Sequence, residues 1–107
     1  MRSRPSPWEH RWTVSDSVLQ RVSSGEAGAV RECIDRFGGL VWSLARRMTY
    51  SEPEADDAVQ DIFVEVWKNA GRYDSSVASE TAFVAMIARR RLIDRGRKRN
   101  RQLDRQP

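Results

Sequence analysis

Two long stretches of this chain repeat one apolar spacing, three residues, then one, then three, and that spacing restricts the fold more than any other feature. The first is Val30, Cys33, Ile34, Phe37, Leu40, Val41, Leu44, Ala45 and Met48. The second is Ala55, Ala58, Val59, Ile62, Phe63, Val66, Trp67 and Ala70. Side chains so spaced lie on one stripe of a 3.6-residue helix and must be buried against other helices. No segment alternates apolar and polar as a strand would, and no repeat of about 20 to 50 residues is present. The expected fold is all-α, a compact bundle of three to four helices with a basic C-terminal extension.

Local signals divide the chain further. Asp16 is a good N-cap for a short helix with Val18, Leu19 and Val22 on one face, stopped by Ser23-Ser24-Gly25. Gly38-Gly39 interrupts the first stripe at a cost of about 1 kcal/mol per glycine relative to alanine. The period is not reset there, so a continuous or slightly kinked helix is expected, and close backbone packing would account for the glycines. Ser51-Glu52-Pro53-Glu54 reads as a capping box with proline in the first turn. Gly71 is placed to end that helix, and a loop holding Tyr73-Asp74-Ser75-Ser76 follows. The last helix is expected from Ser79, with Ala82, Phe83, Met86, Ile87 and Ile93 inward and Gly96 interrupting it. These signals predict a disordered lead-in over 1–14, whose Trp8 and Trp12 have no assigned role, a domain over 15–98, and a basic tail over 99–107.

Composition excludes several classes of function. A single cysteine, Cys33, cannot form an internal disulfide, and with one histidine, His10, a zinc site is disfavoured. No run approaches the roughly 20 apolar residues of a membrane span, and Met1–Trp12 lacks the apolar core of a signal peptide. A cytoplasmic protein without membrane insertion is expected. The region expected to fold has no histidine, no Gly-rich phosphate loop and no serine in a nucleophile context, so no enzyme, cofactor or metal is expected.

Charge is segregated. Residues 14–88 carry seven bases against twelve acids, whereas residues 89–105 carry nine bases against two acids. The segregation points to two different partners, one of them nucleic acid; a solubilising tail is the alternative for the basic stretch. Asp57, Asp61 and Glu65 succeed one another at four-residue spacing and form a row on one helix face. Helix dipole and cap explain acids in a first turn but do not reach Asp61 or Glu65. The row therefore reads as a docking surface for a basic partner, with Val64 as an apolar centre within a charged rim; an ordinary solvated face is the alternative. On the last helix Arg91, Arg95 and Lys98 share a face suited to successive phosphates. Tyr73 and Phe83 offer aromatic surface for unstacked bases, and an ordinary core position is the alternative for Phe83.

Taken together, Ala55-Asp56-Asp57-Ala58-Val59-Gln60-Asp61-Ile62-Phe63-Val64-Glu65-Val66-Trp67, the loop entry Arg72-Tyr73-Asp74, and the block Phe83, Ile87-Ala88-Arg89, Ile93-Asp94 and Arg95 resemble region 2 of extracytoplasmic-function (ECF) sigma factors. The resemblance covers about residues 16–101. It implies that Asp56, Asp57, Gln60, Asp61 and Glu65 face the clamp helices of the β′ subunit of core RNA polymerase, with the apolar Val64 read above falling in the same surface. It also implies that Tyr73, Asp74, Ser75 and Ser76 capture a base flipped from the melted −10 element. Phe83, Arg89, Arg90, Arg91, Arg95, Arg97 and Lys98 would contact the promoter non-template strand and the duplex just upstream. An anti-sigma factor is a further partner implied by the family. Two positions depart from its pattern: Phe83 stands where tryptophan is usual, and Arg90 where asparagine helps line the base pocket. An arginine there either reads a guanine edge or binds phosphate. The family's second domain, a helix-turn-helix that reads the −35 element, would follow a linker beginning near Gln106-Pro107. The competing reading is a sigma-like interaction module that binds polymerase or an anti-sigma factor without promoter recognition.

Overall fold

Both stripes fold as helices and pack on each other through their small and branched residues. The computed structural model describes residues 17–105. It contains helices α1 (Val18–Ser23), α2 (Ala29–Met48), α3 (Glu52–Asn69) and α4 (Glu80–Asp104), with a 3₁₀ turn at Ala70–Arg72. No strand occurs among the described residues. The expected lead-in 1–14, with Trp8 and Trp12, the cap Asp16 and the linker residues Gln106-Pro107 lie outside them.

The core draws on every helix: Val18 and Leu19 from α1, Cys33, Phe37 and Val41 from α2, Ala58, Ile62 and Val66 from α3, and Val84, Ala88 and Leu92 from α4. Each buried branched side chain contributes about 1.5 to 3 kcal/mol of transfer free energy. The middle of the α2 stripe is buried as expected, whereas Val30, Ile34 and Met48 at its margins stay exposed. Burial in apolar surroundings raises the Cys33 thiol to about 11, so it behaves as a small apolar residue.

Serines cap the starts of α1, α3 and α4. Ser17 Oγ accepts from Gln20 N at 3.4 Å, so the α1 cap falls on Ser17. Ser51 Oγ accepts from Glu54 N at 3.2 Å, and Ser79 Oγ from Ala82 N at 3.1 Å. The Glu54 carboxylate reaches back to Tyr50 N at 3.1 Å, one residue before the cap instead of to the cap itself.

Several expectations are corrected. Helix α2 does run unbroken through Gly38 and Gly39, but a Cβ at either would meet nothing within 4 Å. Close packing is therefore not their reason. The close approach is at Gly71, where a Cβ would sit 2.9 Å from Ser23 Oγ. Helix α4 passes through Gly96 to Asp104, absorbing most of the supposed tail 99–107. Arg95 and Arg99, on either side of that glycine, are both tied to α3, which offsets its roughly 1 kcal/mol penalty. The buried face of α4 is Val84, Ala85, Ile87, Ala88 and Leu92, so Ala82, Met86 and Ile93, expected inward, point to solvent.

One buried-edge carboxylate fastens three elements. Glu80, in the first turn of α4, accepts from Ser17 Oγ at 3.0 Å and from Leu19 N at 3.1 Å, and pairs with Arg36 of α2 at 3.3 Å. It thereby satisfies one of the orphan amides of α1, a six-residue helix that could not stand alone.

Candidate functional site

Helices α3 and α4 lie antiparallel, and their charges meet in register. Arg91 grips Asp61 with two hydrogen bonds, Nε to Oδ2 at 2.7 Å and Nη2 to Oδ1 at 3.0 Å. Arg95 spans Asp61 at 3.3 Å and Asp57 at 3.0 Å. Arg99 holds Glu54 at 2.6 and 2.7 Å. Each four-residue step up α4 is matched by a three- or four-residue step down α3, producing a ladder of three arginines against three acids. Arg91 donors and then solvent exclusion are the opposing influences on Asp61, and the donors prevail: its carboxyl is held below the ordinary range. Glu54 is likewise lowered, first by the Tyr50 amide and then by Arg99.

The ladder revises the charge reading. Asp61 and Glu65, expected to face outward with Asp57, turn toward α4, leaving Asp61 with 24% of its side chain exposed. Asp56, Asp57, Gln60 and Val64 lie on the exposed face of α3. Arg91 and Arg95, expected to contact phosphates, are engaged within the fold. By contrast Arg89, Arg90, Arg97, Lys98 and Arg101 are without ion-pair partners among the described residues. Arg90, Arg97 and Arg101 are seven and four residues apart, which sets them along one ridge of α4.

Beside that ridge is a cleft of about 260 Å³ between α3 and α4. Phe83, Met86 and Ile87 form its apolar side, and Arg90, Asn69 and Glu65 its polar side. Arg90 thus opens onto this cleft of mixed polarity.

The loop differs from expectation. Tyr73 is only 7% exposed. Its hydroxyl donates to the Ala78 carbonyl at 2.9 Å, and its ring meets Phe83 edge-on at 5.3 Å between centroids. Burial raises its phenol above the ordinary value. The ring is a core residue that pins the loop, not a free stacking surface, and its hydroxyl keeps a partner as buried tyrosines usually do. Asp74, Ser75 and Ser76 are exposed. Asp74 Oδ1 accepts from Ser76 N at 2.9 Å and Ser76 Oγ at 2.6 Å, a closed turn that also lowers its carboxyl.

Sequence reasoning did not find Arg99 or Glu80 as organising residues, nor Tyr50, whose ring carries the Arg99 guanidinium 3.9 Å from its centroid. The signal for Arg99 was present: arginines at 91, 95 and 99 match acids at 61, 57 and 54 once the helices are set antiparallel.

These features define an all-α domain with an internally neutralised helix pair and one free basic ridge. The chain belongs to the Sigma-70 region 2 family, whose pattern matches residues 33–102. Over 82 residues it is 33% identical to the ECF RNA polymerase sigma factor SigK of Mycobacterium bovis (strain BCG / Pasteur 1173P2) and of Mycobacterium tuberculosis (strain ATCC 25618 / H37Rv), covering 77% of this chain and 44% of each relative. Against SigK of Mycolicibacterium vanbaalenii the identity is 32%, covering 77% of this chain and 42% of the relative. The chain therefore spans less than half the length of these curated relatives. No solved structure gives a significant match. Among the described residues, no helix is long and apolar enough to cross a membrane.

Proposed function

We propose that this domain serves a sigma factor in transcription initiation, binding core RNA polymerase through α3 and the −10 non-template strand through α4. The observation that carries the reading is the division of bases on α4. Arg91, Arg95 and Arg99 neutralise α3, while Arg89, Arg90, Arg97, Lys98 and Arg101 are left for a polyanion. Unpaired arginines along one helix ridge bind phosphates without sequence preference, and the Phe83–Arg90 cleft beside them supplies an apolar wall and a donor for one unstacked base. The loop residues Asp74, Ser75 and Ser76 flank that cleft's helix, and Tyr73 acts by holding the loop in shape. On α3 the exposed Asp56, Asp57, Gln60 and Val64 form the surface for the β′ clamp helices; Asp61 and Glu65 support it from the ladder side. An anti-sigma factor would compete for that surface. The place of action is the cytoplasm, with polymerase.

The test is a pair of titrations of the whole chain, one with core polymerase and one with a labelled −10 strand against a strand of scrambled sequence. Both partners should bind, the −10 strand more tightly than its scrambled counterpart. Polymerase binding with no strand preference would favour the interaction module instead.

A further inference from the structure

On the other side of α4, toward the end of α2, lies a second groove of about 460 Å³ that shares only Arg97 with the ridge and has no residue of the exposed α3 surface. Its floor is Met48 and Ile93, and its rim is Arg47, Tyr50, Arg97 and Arg99; none of the residues lining it is acidic. Tyr50 is 79% exposed, a large aromatic ring offered to solvent. Arg99, fixed by Glu54, stacks on one face of that ring at 3.9 Å. Arg47 and Arg97 are exposed and without ion-pair partners among the described residues.

We infer that this groove is a second nucleic-acid contact, in which Tyr50 stacks a base and Arg47 and Arg97 hold the flanking phosphates. The inference rests on the strand-binding reading of α4 and extends it. Continuity argues for nucleic acid as the occupant: Arg97 belongs both to this rim and to the Arg90–Arg101 ridge, so one polyanion can follow the bases from one side of α4 to the other. Arg90 and Arg97 are separated by about 10 Å along the helix axis, at 1.5 Å per residue, a distance a strand crosses in two or three nucleotides. An exposed, guanidinium-backed aromatic beside unpaired arginines also suits the stacking of unstacked bases. The roles are then distinct. The Phe83–Arg90 cleft takes the first base, and the Tyr50 groove takes nucleotides farther along the same strand.

The experiment compares a minimal −10 strand with strands extended by about six nucleotides at either end, within the usual single-strand site size. The variants are Arg47→Ala/Tyr50→Ala, Tyr50→Phe and, as a control for the first cleft, Arg90→Ala. Thermal melts check folding, which exposed positions 47 and 50 should leave intact. One extended strand should bind the wild type more tightly than the minimal strand. The double variant should lose that gain, weakening about tenfold on the extended strand with the minimal strand unchanged, and Tyr50→Phe should retain it. If the double variant binds the extended strand normally while Arg90→Ala weakens both strands, the groove inference is overturned and the strand-binding reading stands. If no variant affects any strand, that reading itself falls. If the double variant instead loses core polymerase binding with DNA binding intact, the groove belongs to a protein partner and the inference is overturned.

Discussion

Arg91 of α4 holds Asp61 of α3 by two parallel hydrogen bonds, 2.7 and 3.0 Å long, across a separation of 30 residues in sequence. Bidentate pairing of this kind fixes orientation as well as energy. It sets the register of the two helices on which the proposed interfaces are built. It also pairs with each other an acid and a base that the sequence suggested were facing different partners.

Asp61→Asn should therefore lower stability and leave strand binding largely intact. Removing one partner of a partly buried charged hydrogen-bond pair costs about 1 to 3 kcal/mol. Urea unfolding would measure the loss. An unchanged midpoint would mean that the pair contributes no net stability.

Acid should weaken the ladder in a defined direction. Asp61 and Glu54 have carboxyls lowered in the fold, so their stabilisation is complete above the unfolded carboxylate range of about 4 and is lost as pH falls through their lower folded values. Melting temperature should drop below about pH 4, and the drop should be shallower in Asp61→Asn than in the wild type. Parallel melting curves for the two proteins below pH 4 would refute the link.

Tyr73 should behave as a core residue. Tyr73→Ala is expected to cost about 3 to 5 kcal/mol, the range for large aromatic truncations. Tyr73→Phe, which loses only the bond to the Ala78 carbonyl, should cost about 1 kcal/mol. Chemical denaturation of both variants checks this; a Tyr73→Ala protein of unchanged stability would return the ring to the surface.

Glycine substitutions should split by position. Gly38→Ala and Gly39→Ala add a Cβ into open space within α2 and should each stabilise by about 0.5 to 1 kcal/mol. Gly71→Ala sets a Cβ 2.9 Å from Ser23 Oγ, so it should give no such gain unless Ser23 rotates away. Thermal melts of the three single variants distinguish them.

How much of this was legible beforehand depends on which force set each feature. The long stripes of α2 and α3 announced themselves because repeated apolar spacing has one helical solution, and Ser51 and Ser79 because a capping hydroxyl acts locally. The phase of α4 was misread. Ile87 is buried as expected, but Met86 and Ile93 are as apolar as Val84, Ala88 and Leu92, and which of them turn inward depends on packing and ion pairs with α2 and α3 that spacing does not reveal. The arginine ladder, likewise nonlocal, carried α4 through Gly96. Tyr73 looked like a loop aromatic because its partners, Phe83 and the Ala78 carbonyl, come from the following helix start. At the candidate site the residue types were legible, but not which arginines were free, since pairing depends on a helix register that spacing alone does not reveal.

The central claim is that the bases of α4 are divided, with Arg90, Arg97 and Arg101 for a nucleic-acid strand and Arg91, Arg95 and Arg99 for α3. The salt dependence of −10 strand binding tests it most directly, measured for two triple-alanine variants that each remove three of these arginines. Replacing Arg90, Arg97 and Arg101 should flatten the slope of log affinity against log salt by about 2, at roughly 0.7 per phosphate contact on a single strand, with the melting temperature nearly unchanged. Replacing Arg91, Arg95 and Arg99 should lower the melting temperature and, at a temperature where the variant is folded, leave most of the slope in place. The reverse pattern, with the slope lost from the ladder variant and kept by the ridge variant, would contradict the account.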